Sequence, residues 1–223
     1  MSGLRATIAN RMHKSHQVTA PVTLTTEACA TSFVELRTQL ANELSIGNNY
    51  SIGYNEMLIK VAARALHEFR YMNASLEAGT IKLFENIHIG LAVDTKRGLV
   101  VPVIQDADKK GIVEIGRELQ VLIEKVQKGT PTPADLSGGT FTITNLGMFE
   151  IDAFTPIINL PQTAILGVGQ IKPRPAVIEN QLSVQPMVWL SLTFDHRIID
   201  GADAARFLQY IKKLIEKPGL LSG

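Results

Sequence analysis

The chain has 223 residues, of which 45% are hydrophobic and 19% charged, with a formal net charge of +1. That length and apolar content suit one large mixed domain with a substantial core, and near-zero charge without a basic cluster argues against a nucleic-acid partner. No run approaches the roughly 18 uninterrupted apolar residues of a membrane span, and the opening MSGLRATIANRMHKSH lacks the apolar stretch of a signal peptide. A lone cysteine, Cys29, excludes an intrachain disulfide. A soluble intracellular protein is expected, cytoplasmic or, in a eukaryote, in the mitochondrial matrix. The low charged fraction hints at surface buried between subunits.

Leu4, Ile8 and Met12 recur every four residues and predict a first helix. Pro21 opens an alternating strand, PVTLTTEACA. The stripe Phe33, Leu36, Leu40 and Leu44 predicts a second helix, capped by Thr31 or Ser32 with Glu35 three residues after the serine. Gly47, Asn48 and Asn49 form a turn, and NEMLIKVAARALHEF is a third helix with Asn55 as its cap. IKLFENIHIGLAVDT and GLVVPVIQDA read as two strands joined by a turn at Gly98. GIVEIGRELQVLIEKVQKG is a fourth helix, with Lys125 and Lys128 in its last turns and Gly129 at its end.

TFTITNLGMF reads as a strand entering an Asn-Leu-Gly turn, and TAILGVGQI and MVWLSLTF as further apolar strands. Between these, KPRPAVIENQLSVQP is a hairpin excursion with Glu179 and Asn180 near its tip. The final helix carries Phe207, Ile211, Leu214 and Ile215 on one face and stops at Pro218-Gly219. Strict β-α-β alternation is missing, so the expected class is α/β (α+β): a mixed sheet with packed helices, in one domain over residues 1–223.

The stretch SLTFDHRIIDGADAARFL concentrates chemistry. A strand ends in Asp195, His196 and Arg197, and Asp200-Gly201 opens a helix. Such residues have a purely structural use, since aspartates favour helix N-termini. Imidazole also titrates near pH 6.5, which suits a general base, and a strand end gives it a rigid mount. Asp200 is expected to hold the loop by pairing with an arginine such as Arg197 or Arg5. His13 and His16 lack the companions a zinc site needs. GVGQIK lacks the third glycine of a dinucleotide fingerprint.

DHRIIDG, GGTFTITNLGMF, FTPIINLPQTAILGVG, LAVDTKRGLVVPVI and RATIANRM resemble the catalytic domain of the dihydrolipoyl acyltransferases, the core components of 2-oxo acid dehydrogenase complexes. That family shares its H-x-x-x-D-G signature and its fold with chloramphenicol acetyltransferase, and the likeness covers nearly the whole chain. It implies acyl transfer between dihydrolipoamide and coenzyme A. His196 would be the base, Asp200 and Gly201 would shape its turn, and Thr144 would donate to the oxyanion where the family usually has serine. The lipoyl group would ride on a separate domain rather than on Lys96.

The resemblance further implies a homotrimer that assembles into a larger hollow particle, with the active site shared between subunits. Lipoyl, decarboxylase and dihydrolipoyl dehydrogenase partners would engage through N-terminal domains outside this chain, which reads as an excised catalytic domain. Leu220 and Leu221 are expected to plug a neighbouring trimer. A stand-alone CoA-dependent O-acetyltransferase would tend to carry histidine at position 195, where this chain has Asp195. A non-catalytic scaffold would tend to lose the histidine that this chain keeps as His196. The acyl group (acetyl, branched-chain or succinyl) is left open, as are the individual CoA contacts.

Overall fold

In the computed structural model, residues 3–45, 52–178 and 180–222 are described. The Gly47–Asn49 turn and Glu179 lie outside them. Helix α1 spans Gly3–Val18 and strand β1 spans Pro21–Cys29. Helices α2 (Thr31–Ser45) and α3 (Tyr54–Glu68) follow. Strands β2 (Ala74–Glu77) and β3 (Thr80–Leu83) form a small separate hairpin. Then come β4 (Ile89–Thr95), β5 (Gly98–Val100), β6 (Val103–Ile104) and helix α4 (Ile112–Lys128). The chain finishes with β7 (Phe141–Asn145), β8 (Ala164–Val168), β9 (Lys172–Ile178), β10 (Gln181–Asp195) and helix α5 (Gly201–Glu216).

The main sheet runs β1-β10-β8-β7-β4-β5, with β6 on β4 and β9 on β10. It is mixed, as expected: β4, β7 and β8 pair in parallel, while β10 is antiparallel to both β8 and β1. Period-two alternation gives it two unlike faces. Phe141, Ile143, Leu166, Leu190, Leu192 and Phe194 point to one side and are buried with α3 and α5 in the hydrophobic core. Helix α3 is buried on nearly every side, and its alanines let neighbours approach closely. Helix α5 contributes Phe207, whose ring meets Phe69 and Phe141 edge-on at 5.9 Å each.

The opposite face is lined with small and polar side chains. Thr25, Ser191, Gly167, Thr144 and Ala92 form one cross-strand row, and Thr23, Thr193, Ile165, Thr142 and Gly90 the next. Part of this face is covered by the segment 151–163. Thr142 donates to Gln162 at 2.7 Å and accepts from Asn159 at 3.2 Å. A side chain at Gly167 would begin 3.0 Å from the Phe154 ring, so only glycine fits beneath it. Ser15 of α1 ties down the segment by donating to the Ile158 carbonyl at 2.6 Å.

Several sequence expectations need correction. Helix α3 begins at Tyr54 with Gly53 as its cap, so Asn55 is its second residue; the Gly53 amide donates to Glu56 at 3.0 Å. Neither suggested cap serves α2 by its side chain: Thr31 donates to Gln185 instead, at 2.7 Å. Pro102 cannot join the ladder as a donor, and the expected long strand breaks there into β5 and β6. Likewise MVWLSLTF is the second half of one long strand, β10, whose first half pairs with β9 as a hairpin. The helix α4 ends as expected, with Gly129 left-handed at φ 74°.

The C-terminal leucines divide. Leu221 is 7% exposed and packs in its own chain's core, whereas Leu220 is 43% exposed. Leu221 is therefore unavailable to plug a neighbour, and removing the tail would damage the fold itself. Leu221→Ala is expected to cost about 2–3 kcal/mol. Leu220→Ala is expected to change stability by less than about 0.5 kcal/mol. Denaturant unfolding of the two variants checks the contrast.

Candidate active site

Strand β10 ends at Asp195, and His196 is the first residue beyond it. Its amide donates to the Ala20 carbonyl at 2.9 Å, and its ring lies 5.6 Å from that of Phe194. The imidazole itself is exposed and makes no hydrogen bond within the chain among the described residues. An ideal Cβ on Gly201 would sit 3.8 Å from His196 Nε2, so glycine there keeps that side of the ring open.

What fixes the histidine is its neighbour. Asp195 is 2% exposed. One carboxylate oxygen accepts from the Ala20 amide at 3.1 Å, from the Arg197 amide at 3.2 Å and from Arg197 Nε at 3.0 Å. The other accepts from the same guanidinium at 2.6 Å. The Asp195 carbonyl receives the Ile198 and Ile199 amides at 3.0 and 3.1 Å. Burial works to raise the Asp195 carboxyl, but hydrogen bonds from the Arg197 guanidinium and the two amides outweigh it and hold the group below the ordinary carboxylate range. The same pairing pushes Arg197 up.

Asp200 does not play the part expected of it. Arg197 is committed to Asp195, and Asp200 takes the N-cap position of α5 without a side-chain cap hydrogen bond. Its backbone carbonyl accepts from Ala204 at 3.0 Å, and its side chain is exposed. The loop-holding carboxylate is thus Asp195. The signal was present in the sequence, since an acid and an arginine flank the histidine, but alternation does not tell which of two nearby acids is buried.

Thr144 lies near the end of β7, on the polar face and half-buried. Its successor Asn145 accepts from the Gly147 amide at 2.9 Å and donates to Asn55 at 2.9 Å, which anchors the strand end to α3. Asn55 therefore matters here as a brace, a use its sequence position did not reveal. Thr144 and Asn145 line a cavity of about 560 Å³ enclosed largely by apolar side chains of β4, α3 and the Gly147–Phe149 turn.

The two candidate groups do not meet in one chain. Thr144 is level with Gly167 on β8, which is level with Ser191 on β10. His196 is five residues further on, two strands away. At about 3.3 Å per residue and about 4.8 Å per strand, the separation is on the order of 19 Å. No hydrogen bond or single transition state bridges such a gap.

Residues 1–222 match the family described as 2-oxoacid dehydrogenases acyltransferase (catalytic domain). The dihydrolipoyllysine-residue succinyltransferase component of the 2-oxoglutarate dehydrogenase complex from Rickettsia conorii is 38% identical over 218 residues, covering 98% of this chain and 55% of that protein. The acetyltransferase component of the pyruvate dehydrogenase complex from Bacillus subtilis is 37% identical over 223 residues, covering 99% and 50%. The chain thus spans about half the length of these curated relatives.

Among solved structures, the cubic core of a pyruvate dehydrogenase multienzyme complex superposes with a TM-score of 0.96 at 32% identity, covering 100% of this chain and 92% of that one. The same values hold for an Azotobacter vinelandii dihydrolipoamide acetyltransferase whose catalytic mechanism was probed at a serine, a histidine and an asparagine. A chloramphenicol acetyltransferase shares the fold at 11% identity, with a TM-score of 0.56 over 92% of this chain and 94% of that one.

Asp195→Asn keeps the shape but weakens the pairing with Arg197 and turns one acceptor into a donor facing donors. It is expected to lower stability by about 1–3 kcal/mol at neutral pH. The sign with pH follows from the depressed carboxyl: its contribution is full above the unfolded value near 3.9 and is lost as pH falls through the lower folded value. The gap between wild type and Asp195→Asn should therefore narrow below about pH 4, as read by unfolding at stepped pH.

Proposed function

Because the chain belongs to the family of 2-oxoacid dehydrogenase acyltransferase catalytic domains, we propose that it transfers an acyl group between dihydrolipoamide and coenzyme A. The observation that carries this reading is the locked strand end, where buried Asp195 holds an exposed, unbonded imidazole. Thr144, His196 and Asp200 also have the same separations along the chain as the serine, histidine and asparagine probed in the Azotobacter protein.

In the direction that forms acyl-CoA, His196 Nε2 takes the proton of the CoA thiol. A thiol near pKa 8.5 is mostly protonated at neutral pH, and the thiolate is the nucleophile. Sulfur attacks the carbonyl carbon of the acyl-lipoamide thioester, and the carbonyl oxygen becomes an oxyanion. Thr144 Oγ1 donates to it. Collapse breaks the bond to the lipoyl sulfur, which leaves with the proton returned from His196. The products are acyl-CoA and dihydrolipoamide. Asp200 shapes the turn beside the base by its N-cap position.

A base and an oxyanion donor about 19 Å apart in one chain demand two copies. We assign His196 to one subunit and Thr144 to its neighbour, in a homotrimer whose interfaces hold the sites. Such trimers would build a hollow core, the second role of the domain, as in the cubic core of the pyruvate dehydrogenase relative. The acyl group would arrive on a separate lipoyl domain, and the decarboxylase and dihydrolipoyl dehydrogenase would bind through segments outside this chain.

The test is acyl transfer from acyl-CoA to free dihydrolipoamide. His196→Ala is expected to lose about 10²–10⁴-fold in turnover. Thr144→Ala is expected to lose about 10²–10³-fold. Thr144→Ser should recover most of that loss, since it restores the hydroxyl without the methyl. Wild-type rates in His196→Ala would rule the mechanism out.

A further inference from the structure

A second cavity, of about 600 Å³, lies at the β5–β6 edge of the sheet. Helix α1 forms one wall and the β4–β5 turn another, and Val101, Val103 and Val126 supply an apolar part of the lining. That volume suits a small-molecule ligand. The charge on its walls is one-sided: Arg11 and Arg97 line it, and among the described residues no carboxylate does. The two arginines are neighbours across the α1 contact. Ile8, one turn before Arg11, brings its Cδ1 to 3.4 Å from where a side chain on Gly98 would start, and Arg97 precedes that glycine.

Each guanidinium rests on the cavity's own lining, against neutral partners. Arg97 Nη1 donates to the Gly129 carbonyl at 3.3 Å, and a side chain at Gly129 would collide with that guanidinium, so glycine makes room for it. Arg11 donates to the Asn159 side chain and to the Leu160 carbonyl, at 3.4 Å each. Neither forms an ion pair among the described residues. Nearby acids do not cancel them. Asp135, between the lining residues Pro131 and Leu136, is taken by Lys125 at 3.0 Å and by the Thr132 amide at 2.7 Å. Asp94 lines the cavity beside Asn145 instead. Helix α1 has no acidic residue, and its Arg5 and Lys14, with Lys96 of the turn, are exposed cations that add to the field. The amides of Gly138 and Gly139, also on the lining, make no hydrogen bond within the chain among the described residues.

From this juxtaposition we infer that the cavity binds a phosphate-bearing small molecule, with Arg11 and Arg97 as the groups that hold its phosphate. A guanidinium presents paired N–H donors that match phosphate oxygens. The carbonyls that now receive the two arginines position them without matching their charge, so an anion between them gains charge-assisted hydrogen bonds. The valine wall takes the rest of the ligand. Two sources carry this chemistry. One is the nucleotide end of coenzyme A, an assignment that rests on the acyl-transfer reading. In its favour, the lining residues Gln162 and Asn159 both bond Thr142, two residues before Thr144. The other source is a separate phosphorylated metabolite.

Calorimetric titration with inorganic diphosphate and with adenosine bisphosphate reads the site without catalysis. Binding to the wild-type protein should weaken as salt rises. It should fall roughly tenfold in Arg11→Gln and in Arg97→Gln, both exposed substitutions, and stay unchanged in Lys82→Gln on the separate β2–β3 hairpin. Acyl transfer then separates the sources. If coenzyme A supplies the phosphate, the arginine variants raise KM for acetyl-CoA several fold more than KM for S-acetylpantetheine, which lacks the nucleotide. If another metabolite supplies it, the two KM values keep their wild-type ratio while binding of the probes is lost. No binding of either probe to the wild-type protein, or equal binding by wild type and both arginine variants, would overturn the inference. No transfer from either donor would overturn the acyl-transfer reading and leave the titration result standing.

Discussion

The buried Asp195 carboxylate is the point on which the histidine end of the site depends. It sits where the longest strand stops and receives two backbone amides and a guanidinium. A carboxylate at 2% exposure survives only because these donors replace its water. The backbone before, at and after His196 is thereby tied to the start of β1. Among the described residues the imidazole makes no hydrogen bond of its own, so on the proposed reading both ring nitrogens are left for substrate. Fixing the mount rather than the ring gives an exposed imidazole a rigid support.

The second constraint is the two-faced sheet. Its helix-covered face carries the stability, with phenylalanine and leucine rows from β7, β8 and β10 against α3 and α5. Its other face places the hydroxyls of Thr142, Thr144, Ser191 and Thr193 in neighbouring rows and is partly covered by the segment 151–163. The same strand geometry that aligns Thr144 with Gly167 and Ser191 also carries His196 well past them. On the proposed reading, a chain of this shape holds the two halves of the site at separate ends, and association of copies becomes part of the chemistry.

Much of this was legible in the sequence. The alternating TFTITN and the apolar TAILGVG identify strands because their period of two survives at either face. His196 and Thr144 stood out through motif and resemblance, and the structure places each near the end of a strand. Burial was not legible. Asp195 and Asp200 look equivalent on paper, and only the packing of Ala20 against the end of β10 decides which is enclosed. Leu221 read as an exposed tail because a Pro-Gly stop ends a helix without saying where the chain goes next. Here it folds back as a short 3-10 turn over Pro218–Ser222 onto α5. Asn55 was misplaced for a similar reason: a capping residue type one step inside a helix was free to bind Asn145 instead.

The central claim, that base and oxyanion donor come from different copies, has a direct test. His196→Ala and Thr144→Ala chains are each prepared inactive, dissociated, mixed in equal amounts and reassembled, and acyl transfer is measured. A site shared between subunits restores up to about a quarter of the wild-type sites, because each interface then has that chance of joining an intact histidine to an intact threonine. A mixture confirmed as hybrid oligomers but no more active than its parents would place both groups in one chain and contradict the claim.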